Sequence, residues 1–529
     1  MGQQQSTLQK KGYTIVGETK NGVIATKDGD KFFIRTIKIS TNQALILEIE
    51  NFKTTSHPHV MSTENSFKDE DQNTYYVVTE YCQGGSLAEK IGEKHLPESE
   101  ILSWIVEICM ALRTIHEKGF LHRDLKPENI FFTEFGTLLL DGFQEIQGKK
   151  GNLNTEESGG INYLAPEVLT QGTYDAKSDI WSVGCILYEL CTQLLAFSAE
   201  TPVNLIPKII SGPAPRLPDN YSSELRDLLA DMLKKDPNLR PTALEILGRP
   251  IALKCLLEKS KMATDHLQTQ LEKLRSVADS LERVHQGTTI GSLAGGVIGA
   301  AGGITSIVGL ILAPFTLGAS LIVTGIGVGV GVAGGVTAGA SNIKKIVNQS
   351  SDRKAIKSII KEFSEKINAI ALWLQEIGNS LQANASHSGD IPNNENNPFT
   401  QKNSTRFGSV IGKGIGGISE LTRLLRVVNI GKIAAQASRV VRVAEIAGGV
   451  LSGLFVAVDI FFIAMDAKEI HQIRQTQADG TPCSEIMKFA QSIRHAAKEL
   501  QKVLDEFKTV IKDIPFLEDE RELQWDPME

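Results

Sequence analysis

Hydrophobic and polar residues follow two different periods along the chain. Over residues 13–39, short apolar runs are separated by turn residues, and Asp28-Gly29 stands between runs at 23–27 and 31–39. Strand-like runs on either side of an Asp-Gly pair predict a β-hairpin. Residues 98–118 instead have the spacing of a helix. The first part of the chain is therefore predicted to contain strands followed by helices.

The second half of the chain has the pattern of long helices. Apolar residues recur mostly every three or four positions over 256–285 and 343–381, which predicts amphipathic helices. Residues 284–343 contain no Asp, Glu, Lys or Arg, and segments 290–312 and 317–338 are each long enough to span a bilayer. Two structures remain open for this apolar hairpin: a membrane-inserted helix pair, or the buried centre of a soluble bundle.

Polar, basic and apolar segments come next. Residues 383–405 are rich in Asn and predict a loop. Over 401–450, basic residues recur among apolar ones, a pattern that suits an anionic lipid surface or an ordinary solvated face. Residues 446–465 are apolar apart from Asp459, which would be either one half of a buried ion pair or a titratable group inside a membrane.

Length and composition restrict the class of protein. A chain of 529 residues is too long for one hydrophobic core and predicts at least two domains. The apolar share of 41% excludes a wholly disordered chain, and the net charge of −7 disfavours a nucleic-acid partner held by bulk positive charge. The six cysteines form neither a disulfide scaffold nor a zinc spacing.

The first residues fit a lipidation pattern. Met1 to Ser6 match M-G-x-x-x-[ST], which makes Gly2 a candidate for N-myristoylation. One acyl chain binds membranes only marginally, so a second anchor would be needed. The apolar segment of a signal peptide is absent, so the sequence predicts a cytoplasmic rather than a secreted chain.

A run of eight residues carries the strongest chemical signal. His122 to Asn129 read H-R-D-L-K-P-E-N, and the motifs A-P-E and D-I-W follow in order. This combination resembles the eukaryotic protein kinases, and its Leu-Lys-Pro-Glu part is similar to that of Ser/Thr kinases. The segment E-Y-C-Q-G-G-S-L from Glu80 resembles the Nek (NIMA-related) branch. The resemblance covers about residues 10–252 and implies a bilobal α+β fold.

The same resemblance implies ATP as phosphate donor, Mg²⁺ as metal and Ser or Thr of a protein as acceptor. Asp124 would be the catalytic base, Lys126 would contact the transferred phosphate, and Arg123 would bind a phosphate on the activation segment. The expected metal ligands are Asn129 and Asp141. The expected nucleotide-binding residues are Gly17, Gly22, Ile24, Glu48, Thr79, Glu80 and Cys82. The expected phosphorylation sites of the activation segment are Thr155 and Ser158.

The cation of the nucleotide-binding strand has two candidates. Counted from the Asp28-Gly29 turn, Arg35 takes the place of the family's lysine, and Phe33 stands where a small residue would lie beneath the adenine. Lys38 is the alternative. Its odd spacing from Arg35 would place it on the other side of the strand unless a bulge shifts the register.

Three further sites depart from the kinase pattern. Thr19 replaces the second glycine of the phosphate loop, Gly142 and Phe143 are exchanged within the D-F-G triplet, and Gly160 replaces a threonine that braces the catalytic Asp and Lys. Two hypotheses follow. The chain is an active Ser/Thr kinase with an altered nucleotide pocket, or its kinase fold is a scaffold with weak or no turnover, attached to a lipid-binding or pore-forming effector.

The second half resembles the apolipoprotein L family. The resemblance rests on the Gly-rich apolar hairpin 289–341 with Leu312-Ala-Pro314 and on residues 454–470, and it covers about 255–510. It implies an all-α domain that binds lipid and inserts into membranes.

The sequence thus predicts a multidomain, membrane-associated Ser/Thr kinase. Its partners would be an unidentified protein substrate and an anionic lipid membrane, and the oligomeric state is left open. The predicted parts are an N-terminal tail (1–12), a kinase domain (13–252), an amphipathic linker helix (253–286), an apolipoprotein L-like helical domain (287–515) and an acidic tail (516–529).

Overall fold

A computed structural model of the chain describes residues 7–19, 22–40, 42–53, 56–69, 71–92, 96–141, 158–293, 349–387, 430–472 and 482–514. The chain forms two compact units. The first contains residues 1–256 and 380–427, and the second contains 257–379 and 428–529. Strands and helices build the described part of the first unit, and helices alone build that of the second.

The first unit begins with an antiparallel sheet in which the strands lie in the order β1-β2-β3-β5-β4. They are β1 (Thr14–Thr19), β2 (Gly22–Lys27), β3 (Asp30–Lys38), β4 (Thr63–Asp69) and β5 (Thr74–Glu80). Asp28 and Gly29 join β2 to β3 with φ angles of 54° and 93°, the left-handed conformation that a two-residue hairpin turn requires. The predicted hairpin is confirmed.

One face of this sheet supplies a hydrophobic core. Val23, Ala25 and Ile34 are buried there, because alternate residues of a strand point to the same face. Helix α1 (Gln43–Phe52) follows β3 in the chain. Its buried side chains are Ile46, Ile49 and Phe52, spaced three residues apart as on one face of a helix.

A lobe of helices follows the sheet. Its helices are α2 (Leu87–Lys90), α3 (Glu98–Glu117), α4 (Pro166–Gln171), α5 (Ala176–Thr192), α6 (Pro202–Ser211), α7 (Ser223–Met232) and α8 (Ala243–Leu247). A small sheet of β6 (Ile130–Phe132) and β7 (Leu138–Leu140) and the 3₁₀ turns Pro127–Asn129, Ser158–Tyr163 and Pro237–Leu239 belong to the same unit. Helices α3 and α5 are buried along most of their length and form the centre of this lobe. The predicted bilobal α+β fold is confirmed.

The start of α5 is fixed by a capping box. The Asp175 side chain accepts hydrogen bonds from the backbone N–H groups of Lys177 and Ser178, and the Ser178 hydroxyl accepts one from the Asp175 backbone N–H. These bonds satisfy N–H groups that the first turn of a helix leaves without a partner. The cap holds Asp179, in that same turn, in a defined position.

The second unit contains most of α9 (Pro250–Leu293) and most of α10 (Gln349–His387), together with α11 (Ile430–Gln472) and α12 (Pro482–Lys512). Helix α9 begins before the predicted linker helix 253–286 and ends after it. Helix α10 continues to His387, so residues 383–387 of the predicted loop are helical, because no proline interrupts the segment.

The apolar stripe of α9 is narrower than its sequence predicts. Leu267, Leu271 and Leu281 are buried at the expected positions, whereas Met262 is 73% exposed. Helical spacing alone cannot tell which edge of an apolar stripe reaches solvent.

Asp459 lies in a cluster of opposite charges. Its Oδ1 atom is 2.6 Å from Nη2 of Arg353 and 2.7 Å from Nζ of Lys357, both on α10. The Lys357 ammonium also lies 4.2 Å from the centre of the Phe455 ring. The sequence left open a buried ion pair or a titratable group inside a membrane. The structure shows an ion pair that is only partly buried, with 29% of the Asp459 side chain exposed.

Several predicted segments lie outside the described residues. They are residues 1–6 with Gly2, most of the apolar hairpin (294–341), residues 388–405 of the predicted loop, and the acidic tail 516–529.

Candidate active site

The backbone around the predicted catalytic base is held by Asp179. Its carboxylate accepts hydrogen bonds from the backbone N–H groups of His122 and Arg123, both at 3.0 Å, and from Tyr174 Oη at 2.7 Å. Arg123 has a φ of 70°, a left-handed conformation that costs free energy for a non-glycine residue. The hydrogen bonds to Asp179 offset that cost and fix the loop that carries Asp124.

The catalytic loop brings three of the predicted residues together. Lys126 Nζ lies 3.0 Å from Asp124 Oδ2. The Asn129 side-chain amide donates to the same oxygen at 2.7 Å and to the Asp124 carbonyl at 2.8 Å. The Asp124 carboxylate is about one quarter exposed, so it is oriented by two neighbours and still accessible to a substrate hydroxyl.

Asp141, the other predicted metal ligand, lies beside this loop. It directly follows β7, its backbone N–H donates to the Asn129 carbonyl at 3.0 Å, and its own carbonyl accepts from His122 Nε2 at 2.8 Å. The side chain is only 8% exposed. Asp124, Lys126, Asn129 and Asp141 therefore form one cluster.

Arg35 is the strand cation that the structure brings to this cluster. Its Nη2 atom donates a short hydrogen bond to Asp141 Oδ1, and its side chain is 17% exposed. Lys38 lies at the exposed end of β3, where its register partner is Thr74. Arg35 therefore takes the lysine position without a bulge.

Glu48 does not pair with the cation of β3, which is the partner that the kinase resemblance implies for it. Its two carboxylate oxygens each lie 3.3 Å from Arg123 Nη1. Arg123 is the residue expected to bind a phosphate on the activation segment. In this structure Glu48 is thus paired with Arg123, and Arg35 is paired with Asp141, the expected metal ligand.

The predicted phosphate loop is a tight hairpin between β1 and β2. The Thr19 hydroxyl donates to the Gly22 carbonyl at 3.0 Å, and Gly17 lies at a register shift of β1. A Cβ atom on Gly22 would lie 2.5 Å from the Ile34 carbonyl oxygen and 2.9 Å from the Phe33 ring. The backbone at Gly22 therefore lies too close to β3 for a residue with a side chain, and the Phe33 ring packs over Gly22.

The expected adenine-binding residues lie at the end of β5 and just after it. Thr79 is 4% exposed, its register partner on β3 is Phe33, and Phe33 pairs in turn with Ile24 on β2. Glu80 ends β5, and Cys82 follows it half-buried. The sheet therefore places Thr79, Phe33 and Ile24 along one register line, and Glu80 lies one position further along β5, opposite Phe32.

The activation segment is described only in part. Gly142, Phe143 and Thr155 lie outside the described residues, and Ser158 begins a 3₁₀ turn with its side chain undescribed. Among the described residues, no atom lies within 4 Å of where a Cβ atom on Gly160 would be. Close contact with this part of the structure therefore does not explain why a glycine replaces the family's threonine.

Comparison with known proteins accounts for both units. The protein kinase domain family matches residues 11–251, and the apolipoprotein L family matches residues 224–509, which is more than half of the chain. The chain belongs to the apolipoprotein L family. The kinase match begins on the N-terminal side of it, and the two matches overlap at residues 224–251.

This apolipoprotein L protein is also similar to Nek kinases. It is 37% identical over 252 residues to serine/threonine-protein kinase Nek1 of Mus musculus, and 34% identical over 251 residues to Nek11 of Homo sapiens. It is 32% identical over 258 residues to Nek2 of Homo sapiens. These alignments cover 46%, 45% and 45% of this chain, but 21%, 39% and 56% of the relatives, so the chain spans well under two thirds of each. Both predicted resemblances are confirmed, and the first unit is a kinase domain of the Ser/Thr type.

The residues at the metal position of this apolipoprotein L protein fit Mg²⁺ in ligand type but not in charge. A carboxylate on Asp141 and an amide on Asn129 offer the oxygen atoms that Mg²⁺ prefers. The Asp141 carboxylate, however, already contacts the guanidinium of Arg35. A second cation on the same carboxylate would be repelled by the first. With Arg35 in this position, Mg²⁺ does not fit at Asp141.

Asp179 is the first residue of the D-I-W motif, but the sequence alone did not show what it does. Its importance follows from four bonds that join it to His122, Arg123, Tyr174 and His116, the last at 2.7 Å from Nε2. A buried acid at the start of an apolar helix was the available signal, because such a charge needs partners.

Replacing Asp179 by Asn is expected to lower the free energy of unfolding of the kinase unit by about 1–3 kcal/mol, because buried donors lose their acceptor. Burial acts to raise the pKa of Asp179, but the hydrogen bond and charge of His116 outweigh it and hold the pKa below 3.8. The carboxylate therefore stabilises the fold above about pH 4, and this contribution is lost as the pH falls through the lowered pKa.

Urea unfolding from pH 7 to pH 3 measures this effect. The difference in the free energy of unfolding between the wild-type chain and Asp179→Asn should become smaller as the pH falls toward 3. A gap that stays constant with pH would contradict the role of the charged form.

Proposed function

We propose that this apolipoprotein L protein is a Ser/Thr protein kinase that works at a membrane surface. Its first unit would transfer the γ-phosphate of ATP to Ser or Thr of a protein, and its second unit would bind lipid. The observation that supports the first part is the cluster of Asp124, Lys126, Asn129 and Asp141. Asp179 fixes its loop by accepting a hydrogen bond from the Arg123 backbone N–H.

The cluster suits phosphoryl transfer. The oxygen of a Ser or Thr hydroxyl would form the new bond to the γ-phosphorus, the bond from that phosphorus to the bridging oxygen would break, and ADP would leave. The hydroxyl proton would pass to the Asp124 carboxylate, which the Asn129 amide orients. The Lys126 ammonium, next to Asp124, would place positive charge beside the moving phosphoryl group.

A direct assay tests this proposal. The full chain is incubated with labelled ATP and a mixed protein acceptor, and phosphoamino acids are separated. Label in phosphoserine and phosphothreonine is expected, with none in phosphotyrosine. A level no higher than in a reaction without the chain would contradict kinase activity.

A second candidate function, a nucleotide-binding scaffold without turnover, is favoured by the contact of Arg35 with Asp141. It differs from the first in one measurable respect. The scaffold would be stabilised by nucleotide in a thermal-unfolding experiment, as any ligand that binds the native state stabilises it, but would transfer no label.

The membrane part of the proposal is supported by α11. In the described part of the chain, one helical segment, Ala435–Ile463, is long and apolar enough to cross a membrane. Its most apolar 18-residue window has a mean hydropathy of 2.2, and one third of that window is buried. Its large exposed side chains are Ile446, Phe455, Val456, Ile460 and Ile463. Apolar surface of this kind, left uncovered in water, is a common feature of lipid- or protein-binding faces.

A groove between α11 and α12 also supports lipid binding. Its volume is about 760 Å³. Ile446, Val450 and Leu454 form an apolar wall, and Lys488 and His495 lie on the α12 side. An apolar wall beside a basic group suits an acyl chain with an anionic head. Myristoylation of Gly2 would add a second anchor and would place the protein on the cytoplasmic face of a membrane.

Vesicle flotation tests the membrane part. The full chain is expected to float with phosphatidylcholine–phosphatidylserine vesicles. Replacing Val456 and Ile460 together by Asn should weaken partitioning at least about tenfold, because two apolar side chains lose their favourable transfer out of water.

Met262→Asn is the matched control, since Met262 is an exposed apolar residue on a different helix of the same unit. Absence of flotation by the wild-type chain at low salt, or equal flotation of the double variant, would contradict the assignment to α11.

A further inference from the structure

We propose that Arg35 takes the place of a divalent cation at Asp141, so that this site binds a nucleoside triphosphate without requiring Mg²⁺. The inference rests on the proposed function, because it assumes that the kinase unit binds nucleotide. The inference is about which positive charges neutralise the phosphates of the bound nucleoside triphosphate.

The first step is the contact itself. The guanidinium of Arg35 hydrogen-bonds to the carboxylate of Asp141, and the two side chains are 17% and 8% exposed. Charges attract more strongly in such a poorly solvated place than in water. Arginine also stays protonated throughout the physiological range, so the pair is not lost by deprotonation. A divalent ion would have to displace a permanent cation from its partner.

The second step is that both partners are held in place. Arg35 lies within β3, paired with Val77 of β5. Asp141 is fixed through its backbone by Asn129 and His122. Glu48, the carboxylate that could draw a strand cation away, is engaged by Arg123 instead. The arrangement therefore rests on backbone geometry and on a second ion pair.

The third step is the charge offered to a phosphate chain. A guanidinium has five N–H donors in a planar fork, so Arg35 can keep one bond to Asp141 and direct others at phosphate oxygens. Lys126, which contacts Asp124 of the catalytic loop at 3.0 Å, adds a second cation to the same cluster. Protein groups thereby supply positive charge that a bound divalent ion would otherwise supply.

A titration with a fluorescent ATP analogue tests the inference on the full chain. The dissociation constant is measured in EDTA and again in excess Mg²⁺. For the wild-type chain, the dissociation constants in EDTA and in Mg²⁺ should agree within about threefold. In Arg35→Gln, which leaves Asp141 without its guanidinium, Mg²⁺ should tighten binding at least about tenfold.

Lys68→Gln is the control, because it removes the same charge from an exposed position on β4 of the same sheet. It should behave as the wild-type chain does. Loss of the free-ion electron paramagnetic resonance signal of Mn²⁺ gives an independent readout: the Arg35→Gln chain should take up one more ion than the wild-type chain.

Each outcome decides between the alternatives. Wild-type binding that is tightened tenfold or more by Mg²⁺ would overturn the inference and leave the proposed function intact. Nucleotide binding in neither condition would overturn the proposed function, and this inference with it. If Arg35→Gln fails to bind nucleotide, the wild-type ratio and the Mn²⁺ uptake still give the answer.

Discussion

Replacing Asp124 by Asn is expected to reduce phosphoryl transfer by about 10²–10⁴-fold, the range typical of losing a positioned general base. The asparagine amide can keep a hydrogen bond to Lys126 or Asn129, whose atoms lie 3.0 and 2.7 Å from the carboxylate. It cannot accept the proton of the acceptor hydroxyl. The substitution therefore removes a chemical step while it preserves the shape of the loop.

Initial rates with labelled ATP measure the loss. The control is Asp227→Asn, the same chemical change at an exposed position of α7 in the same unit, and it should leave the rate unchanged. Nucleotide-induced thermal stabilisation should survive in Asp124→Asn, which separates loss of chemistry from loss of binding. A variant that retains its rate within about threefold would exclude Asp124 as the base.

Features that depend on neighbouring residues could be predicted from the sequence. The hairpin at Asp28-Gly29 followed from two adjacent residues that tolerate positive φ, and the structure has both of them there. Asp124, Lys126 and Asn129 stand within one short run, His122 to Asn129, and both Lys126 and Asn129 contact Asp124 in the structure. In both cases the chain itself brings the partners together over a few residues.

Pairings between distant residues could not be predicted in this way. Arg35 meets Asp141 across 106 positions, and Glu48 meets Arg123 across 75. Each of these charged groups had a plausible partner in the family pattern, and the choice depends on where β3 and α1 lie over the catalytic loop. Sequence spacing left both Arg35 and Lys38 open as the strand cation, because a bulge could have shifted the register. The structure shows no register shift between β3 and β5, and Lys38 is exposed. Spacing also could not show which carboxylate Arg35 contacts.

The helical unit shows the same limit. Periodicity predicted that α9 and α10 exist, but α9 ends at Leu293 and α10 at His387, beyond the predicted ends. Nothing in the local sequence forces a stop at the predicted ends, since neither 287–293 nor 382–387 contains a proline. The partner of Asp459 likewise lies on another helix, 106 residues away at Arg353.

The second large effect is expected at a buried ion pair in the kinase unit. Arg240 and Glu167 form two parallel hydrogen bonds of 2.7 Å, with side chains 0% and 8% exposed. Burial acts to raise the pKa of Glu167, but Arg240 outweighs it and the pKa is lowered. Replacing Glu167 by Gln should therefore destabilise the unit by about 3–5 kcal/mol, because the guanidinium stays buried without a counter-charge.

Hydrogen exchange of the full chain measures this loss where it occurs. Amides of α5, whose Ser178 hydroxyl donates to Glu167 at 2.8 Å, should exchange at least about 10²-fold faster, while amides of α12 in the other unit serve as an internal reference. Asp219→Asn is the control, since Asp219 pairs with Arg226 at 2.6 Å but is 97% exposed, and little change is expected. The double variant Glu167→Leu with Arg240→Met should recover part of the stability, because an apolar pair needs no counter-charge. Protection of α5 that falls no further in Glu167→Gln than in Asp219→Asn would show that burial of this pair contributes little to the fold.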